Sequence, residues 1–414
     1  MNRSYLVPMG EINTLEEKLT LVKGDATFVF DERNRKYIDL RSGLWNVNVG
    51  YHPELFAAVK AKMDEQFASQ LTYLDIHSFH HPLYEEYGKQ LLDFADSGNR
   101  YQHVIYTNSG SECTELALKM ARQVNPNNKK VKTLAFSKGY HGTFWGGMSV
   151  SGLDQEVTQV YSPKLNYMDF IDFPDNAQKE EHLINHIYQH HEEYSTMVIE
   201  PVMGSAGVRI PEFAFMNKLG KLLKKYDITI IFDEVATGFY RTGKRFFFQH
   251  LNFEPDIINL SKGINNGILP FGSVLLSVAF VEKLTGKQLE HFSTQNGNLL
   301  GLISAIETLN FYLKKEEEII QNINKLNQIM RIQFASATFS HPYRIIGCMA
   351  SIEINDPAKL QIIVGKLQQF GILCYQYFNS VEDNGLTLMP SYFIEPDQME
   401  KMMKQLCKVV KSYD

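Results

Sequence analysis

An α/β fold with a largely parallel sheet is what this chain predicts, and three features carry the prediction. Between residues 82 and 280, short strand-like apolar runs alternate with amphipathic helical stretches, the pattern of a sheet covered by helices on both faces. After Asn298 the pattern turns helical, then mixes strands and helices again, which marks a smaller α+β unit. At 414 residues the chain is long enough for two domains with substantial cores.

The elements follow in order. Residues 21–40 alternate apolar and polar positions around Asp31-Glu32-Arg33-Asn34, a hairpin pattern. Strands are expected at Val104–Tyr106, Thr133–Phe136, Met197–Glu200, Thr229–Phe232 and Ile257–Leu260, with helices at Glu112–Arg122 and Phe213–Tyr226 between them. Two long helices then span Leu299–Lys315 and Glu316–Phe334. Strands at Cys348–Ile354 and Leu386–Met389 and a final helix over Pro396–Ser412 complete the smaller unit. There is no internal repeat or low-complexity linker, so the parts are expected to pack closely. We divide the chain into an N-terminal segment 1–50 that joins the small domain, a large domain 51–300 and a C-terminal small domain 301–414.

Composition narrows the function. Forty-one basic and 47 acidic residues give a net charge of −6 with no basic block, so a nucleic-acid partner is not expected. No apolar run approaches the roughly 20 residues of a spanning helix, and Glu16-Glu17-Lys18 stands where a signal peptide would need its apolar core. Cys113, Cys348, Cys374 and Cys407 form no paired motif, which argues against a disulfide framework or metal cage. His77, His80 and His81 lack a matching Cys or Glu set, so no metal is expected there either. The expected setting is the cytoplasm.

Lys262 in Asn259-Leu260-Ser261-Lys262-Gly263 and Asp233 in Ile230-Ile231-Phe232-Asp233-Glu234-Val235 carry the chemistry. A lysine after a strand is usually a solvated loop residue, and an aspartate at a strand end is often a helix cap. Together they are the pair needed to hold pyridoxal phosphate: the amine forms a Schiff base, and the carboxylate keeps the pyridine nitrogen protonated. Thr107-Asn108-Ser109-Gly110-Ser111-Glu112 follows a strand and opens a helix whose unpaired N–H groups suit a phosphate, or are merely capped by serine. Tyr140 in Gly139-Tyr140-His141-Gly142 falls at the carboxyl edge of the sheet, where a ring could stack. Val235 could press on the opposite face, and Thr294 offers a hydroxyl ahead of a helix, for a phosphate or for capping.

The order of these motifs resembles the class III aminotransferases, which are fold type I pyridoxal-phosphate enzymes. The likeness runs from Asp39-Leu40-Arg41-Ser42-Gly43-Leu44-Trp45 and Gly50-Tyr51-His52-Pro53 through Glu200-Pro201-Val202 and Arg241-Thr242-Gly243 to Met389-Pro390. Gly43–Tyr51 is similar to the omega-amine transaminases, and Leu388–Tyr392 to the diaminopelargonate aminotransferases. The resemblance implies Lys262 as Schiff-base lysine and proton shuttle, Asp233 on the pyridine nitrogen, and Tyr140 and Val235 on the ring faces. It implies Gly110 and Ser111 on the phosphate, with His141 among the cofactor contacts. Thr294 would reach the partner subunit's cofactor, which implies a homodimer. Leu44, Trp45, Tyr73 and Tyr375 would line the substrate pocket.

The implied reaction is ping-pong transfer of an amino group from an amine donor to a carbonyl acceptor; an isomerase, decarboxylase, lyase or non-catalytic cofactor-binding protein on the same fold is the alternative. Many relatives clamp a substrate carboxylate with an arginine. The matching positions here are Thr387 and Tyr375, and Ser205 replaces a glutamate common in amino-acid-specific relatives. One substrate is therefore expected to lack an α-carboxylate, or to present its carboxylate to Arg41, Arg209 or Arg241.

Overall fold

Three sheets organise the chain in a computed structural model that describes residues 5, 18–96, 98–125, 130–338 and 340–413. The reading of residues 1–17 as lacking a signal segment lies outside the described residues. Strands β1 (Leu21–Asp25), β2 (Phe28–Asp31) and β3 (Lys36–Asp39) form an antiparallel meander. Strands β4 (Tyr101–Thr107), β5 (Lys132–Phe136), β6 (Met168–Ile171), β7 (Tyr194–Ile199), β8 (Thr229–Asp233), β9 (Ile257–Leu260) and β10 (Gly272–Ser277) form the large sheet in the order β4-β10-β9-β8-β7-β5-β6. Strands β11 (Tyr343–Ile346), β12 (Met349–Glu353), β13 (Ile372–Leu373), β14 (Tyr375–Ser380) and β15 (Asp383–Leu388) follow. Four of them make a second antiparallel sheet, while β13 crosses to pair with β3.

The large sheet is parallel except for β10, which runs antiparallel to both β4 and β9. Its centre is dry: every residue of β7, β8, β9 and β10 is buried, as strands covered on both faces must be. The expected strands and helices are present, with ends shifted by a few residues, since the hydrogen-bond ladder runs on past the apolar run. Several helices escaped the sequence reading, among them Pro53–Ala68, Ala177–His190 and Pro357–Gln369.

Two contacts join the outer parts of the chain to this sheet. The Leu299–Lys314 helix buttresses the turn after β9, with the Tyr312 hydroxyl donating to Gly263 O at 2.8 Å and Asn265 Nδ2 donating to Ser304 Oγ at 3.1 Å. Arg241 has no solvent exposure. Its guanidinium donates to Pro390 O at 2.7 Å, Cys348 O at 3.3 Å and Asn48 Oδ1, and lies 4.8 Å from the Tyr392 ring centre. It thus fastens three distant segments and is not available to a substrate carboxylate, which corrects one of the three options raised by the sequence.

Arg241→Met leaves those acceptors without a donor in a dry interior. It should lower the unfolding free energy by about 3 kcal/mol, read as a reduced urea midpoint. A loss under about 1 kcal/mol would show that the three segments do not depend on it.

Candidate active site

The carboxyl ends of the parallel strands meet at one edge, the place where open α/β sheets bind ligands. There a cavity of about 150 Å³ is lined by residues from six segments, among them Trp45, Gly110, Ser111, Tyr140, His141, Glu200, Asp233, Val235 and Lys262. Eight of the twelve residues to which the sequence gave a cofactor or pocket role therefore come together, though they are spread over more than two hundred positions.

Lys262 follows β9 in a left-handed backbone conformation, φ +50°. Its Nζ lies 4.4 Å from the centre of the Trp45 ring. Among the described residues no acceptor or acid is within hydrogen-bond reach of it. Burial lowers its pKa from the usual lysine range, and the charges of Asp233 and Glu200 pull only partly the other way. A buried amine in this state spends more time as a free nucleophile than a surface lysine does.

Asp233 ends β8 and is held from two sides. Its Oδ2 is 2.8 Å from His141 Nδ1, and its Oδ1 accepts from the Val235 N–H at 3.2 Å. His141 stands almost wholly buried, and its own N–H donates to Ser151 Oγ at 2.8 Å. The histidine is thus a support for the carboxylate as well as part of the cavity wall. Glu200, to which the sequence reading gave no role, follows β7 and accepts from the N–H groups of Gly204 at 2.8 Å and Tyr140 at 3.2 Å. Burial pushes its carboxyl up to about 7, with His141 and these N–H donors opposing and Asp233 adding to the rise.

A helix start faces them. Ser109 caps the Gly110–Val124 helix by accepting from the Glu112 N–H at 3.2 Å. The N–H groups of Gly110 and Ser111 are left in the first turn, where no helical partner exists. Gly110 is needed for closeness: a Cβ there would stand 2.9 Å from Val235 Cγ2. Gly142, at φ +104°, is packed so that a Cβ would meet Ser111 Oγ at 2.4 Å.

The remaining four candidates lie outside the lining of this cavity. Tyr375 meets Trp45 edge to face, ring centres 5.3 Å apart. Leu44 and Tyr73 are 46% and 42% exposed. The Tyr73 hydroxyl donates to Thr294 O at 3.0 Å, and Thr294 itself is exposed. Trp45 belongs to a left-handed turn with φ of 44°, 54°, 63° and 68° at Ser42, Gly43, Leu44 and Trp45. Such a turn costs roughly 1–2 kcal/mol per non-glycine residue. It is pinned by Asp39, which accepts from the N–H groups of Arg41 at 2.9 Å and Gly43 at 2.7 Å, and by Ser42 Oγ donating to Met389 O at 2.6 Å. Tyr375 and Thr387, the two positions where an arginine was expected, are cross-strand partners on β14 and β15.

The fold and this edge define a cofactor-dependent enzyme of the α/β class: a desolvated lysine, a carboxylate braced by a buried histidine and a helix start with unpaired N–H groups share one cavity. The aminotransferase class-III family profile matches residues 11–410, and the chain belongs to that family. It is 30% identical to the acetylornithine aminotransferase of Lactococcus lactis over 94% of this chain and 97% of that protein. Against the adenosylmethionine-8-amino-7-oxononanoate aminotransferase of Anoxybacillus flavithermus it is also 30% identical, over 85% and 82%. In fold it matches an amine transaminase from an uncultivated Pseudomonas species, solved with pyridoxal phosphate, at a TM-score of 0.89 and 24% identity over 100% and 99% of the two chains. The enzyme is an aminotransferase, and pyridoxal phosphate is its cofactor. The residues present fit that group: an amine, a carboxylate and a helix start that can take a phosphate line one cavity.

Glu200 makes the site's pH behaviour testable. Its folded pKa of about 7 lies above the ordinary 4.5, so between those values the unfolded chain has released a proton that the folded chain keeps. Stability contributed by this group therefore falls as pH rises through that window. Wild type should lose stability relative to Glu200→Gln by up to about 1.4 kcal/mol per pH unit there. Denaturation curves at pH 5, 6 and 7 check this, and a constant gap between the two proteins would contradict it.

Proposed function

We propose that Lys262 holds the cofactor covalently and relays the proton in transfer of an amino group from an amine donor to a carbonyl acceptor, by a ping-pong cycle. The observation that carries this is a half-buried lysine whose desolvated amine has no ion pair among the described residues, sharing one cavity with Asp233 and the start of the Gly110–Val124 helix. When bound, pyridoxal phosphate supplies an aldehyde carbon and an electron-accepting ring. Everything else comes from the chain. In our reading Asp233, braced by His141, faces the pyridine nitrogen; Tyr140 and Val235 bound the ring; and the N–H groups of Gly110 and Ser111 take the phosphate. Displaced by the incoming amine, Lys262 is the base that moves the proton from the donor carbon. Trp45, with Tyr375 behind it and Leu44 and Tyr73 nearer solvent, bounds the substrate space.

A homodimer belongs to the same reading, with Thr294 contacting the phosphate in the partner subunit. Its exposure supports this, as does the apolar surface around it: Tyr73, Phe79 and Phe292 are all exposed, and His77 and Phe292 are in ring contact. Such surfaces commonly mark protein contacts. Among the described residues no helix is long and apolar enough to cross a membrane. Cytoplasmic residence is our reading, supported by four buried free cysteines. The division at residues 50 and 300 is supported by the pairing of β3 with β13.

Lys262→Ala should reduce amino transfer by at least about 10³-fold. Borohydride treatment of the wild-type enzyme should add the cofactor's mass to the peptide containing Lys262, and mass found on another lysine would remove it from this role. The particle mass in sedimentation should be twice the 47.6 kDa chain. Thr294→Val should weaken cofactor binding about tenfold, the effect of roughly 1.4 kcal/mol; unchanged affinity in a dimeric protein would detach Thr294 from the phosphate.

A further inference from the structure

A histidine ladder runs along the Ala177–His190 helix, none of whose residues lines the cavity. His182, His186 and His190 follow one another at four-residue spacing, which puts them on one helical face. The ring centres of His186 and His190 are 4.7 Å apart, and those of His182 and His186 6.2 Å. His191 takes no part, since it stacks on Tyr226 with ring centres 3.8 Å apart.

Hydrogen bonds decide which nitrogen each neutral ring keeps free. A carboxylate only accepts, so the 2.7 Å contact between His190 Nδ1 and Glu193 Oε1 puts the proton on Nδ1 and leaves the lone pair on Nε2. The Tyr194 hydroxyl donates its hydrogen to Asp169 Oδ2 at 2.8 Å. It therefore accepts from His186 Nε2, 2.8 Å away, and the lone pair of that ring falls on Nδ1. Lys132 ties the two outer acids together, its Nζ 3.0 Å from Asp169 Oδ2 and 2.9 Å from Glu193 Oε2. Each imidazole thus has one nitrogen fixed by a carboxylate, directly or through a tyrosine, and one left over. That is the support that orients a metal-ligating histidine and raises its basicity. Two carboxylates against one lysine also leave the surroundings negative.

The spacing selects the pair. With a metal–nitrogen bond of about 2.1 Å, an ion sits roughly 3.2 Å from the centre of a ring that binds it. Rings 4.7 Å apart then meet one ion at about 95°, the angle between neighbouring positions in square-planar or octahedral coordination. Rings 6.2 Å apart would need about 150°. Among the described residues no three His, Cys, Asp or Glu groups could hold an ion together, so water fills the other positions. We propose that His186 and His190 form a two-imidazole site for a divalent transition metal, nickel(II) or copper(II), with Glu193 and the Tyr194–Asp169 pair as its outer supports.

Nickel chloride titrated calorimetrically into the holoenzyme at about pH 7.5, where an ordinary imidazole is neutral, should reveal one saturable site per chain. His186→Gln and His190→Gln should each weaken it at least about tenfold, and Glu193→Gln about tenfold, the usual effect of losing an outer support. His191→Gln should leave it unchanged. The His190 side chain is 43% exposed at the helix end, so its replacement keeps the fold even if that of His186 disturbs Tyr194. The copper(II) spin-resonance spectrum should show two nitrogen ligands in the wild type and one in His190→Gln. The proposal is overturned by a wild type with no saturable site, by affinity unchanged in His190→Gln, or by a greater loss in His182→Gln or His191→Gln than in His190→Gln.

Discussion

Ionisable groups without water are the constraint on which this structure depends. Asp233, Glu200 and Glu234 are buried at one edge of the sheet beside Lys262, and a dry carboxyl group needs donors. The chain supplies them locally. Glu234 accepts from the N–H groups of Phe247 and Phe248 at 2.6 and 2.9 Å and from the Thr237 hydroxyl at 3.1 Å. Glu200 takes two N–H groups, and Asp233 takes one together with a histidine. Lys262 alone among them is given only an aromatic face. That asymmetry separates groups held in place from the one left free to react.

Much of the large sheet was legible because dry strands must be apolar on successive residues, and 197–199 or 230–232 allow little else. Strand β10 was not, since in Gly272–Ser277 the apolar run Val274-Leu275-Leu276 is brief and stands between serines. Helices such as Ala177–His190 were missed because half their surface is polar and they cover the sheet from outside. In the candidate site, Lys262 and Asp233 were legible from their place after strands. The part played by Glu200 was not, because an acid before a proline looks the same whether it meets solvent or two buried N–H groups. The arginines make the same point. Residue type indicates what a guanidinium can hold, but only the fold shows that Arg241 and Arg209 already hold something, Arg209 being paired with Asp383 at 2.7 Å.

The fold also couples distant parts of the chain to the site. The Leu299–Lys314 helix reaches back to the turn bearing Lys262 through Tyr312 and Ser304. Strand β13 lies beside β3, whose last residue, Asp39, anchors the turn bearing Arg41 and Trp45. Both walls of the cavity are therefore set by segments remote in sequence. A rigid support of this kind keeps catalytic groups oriented without using the groups themselves as struts.

The left-handed turn at Ser42–Trp45 is fixed by main-chain hydrogen bonds to Asp39, by the Ser42 hydroxyl and by the Asn46 amide, which donates to Gly43 O and Leu44 O, while the side chains of Leu44 and Arg41 take no part in holding it. Its curvature is consequently inherited separately from the chemistry it displays. Descendants of this chain could exchange the residues at 41 and 44 freely and present new partners from an unaltered wall, so substrate preference can drift in evolution without the architecture having to follow.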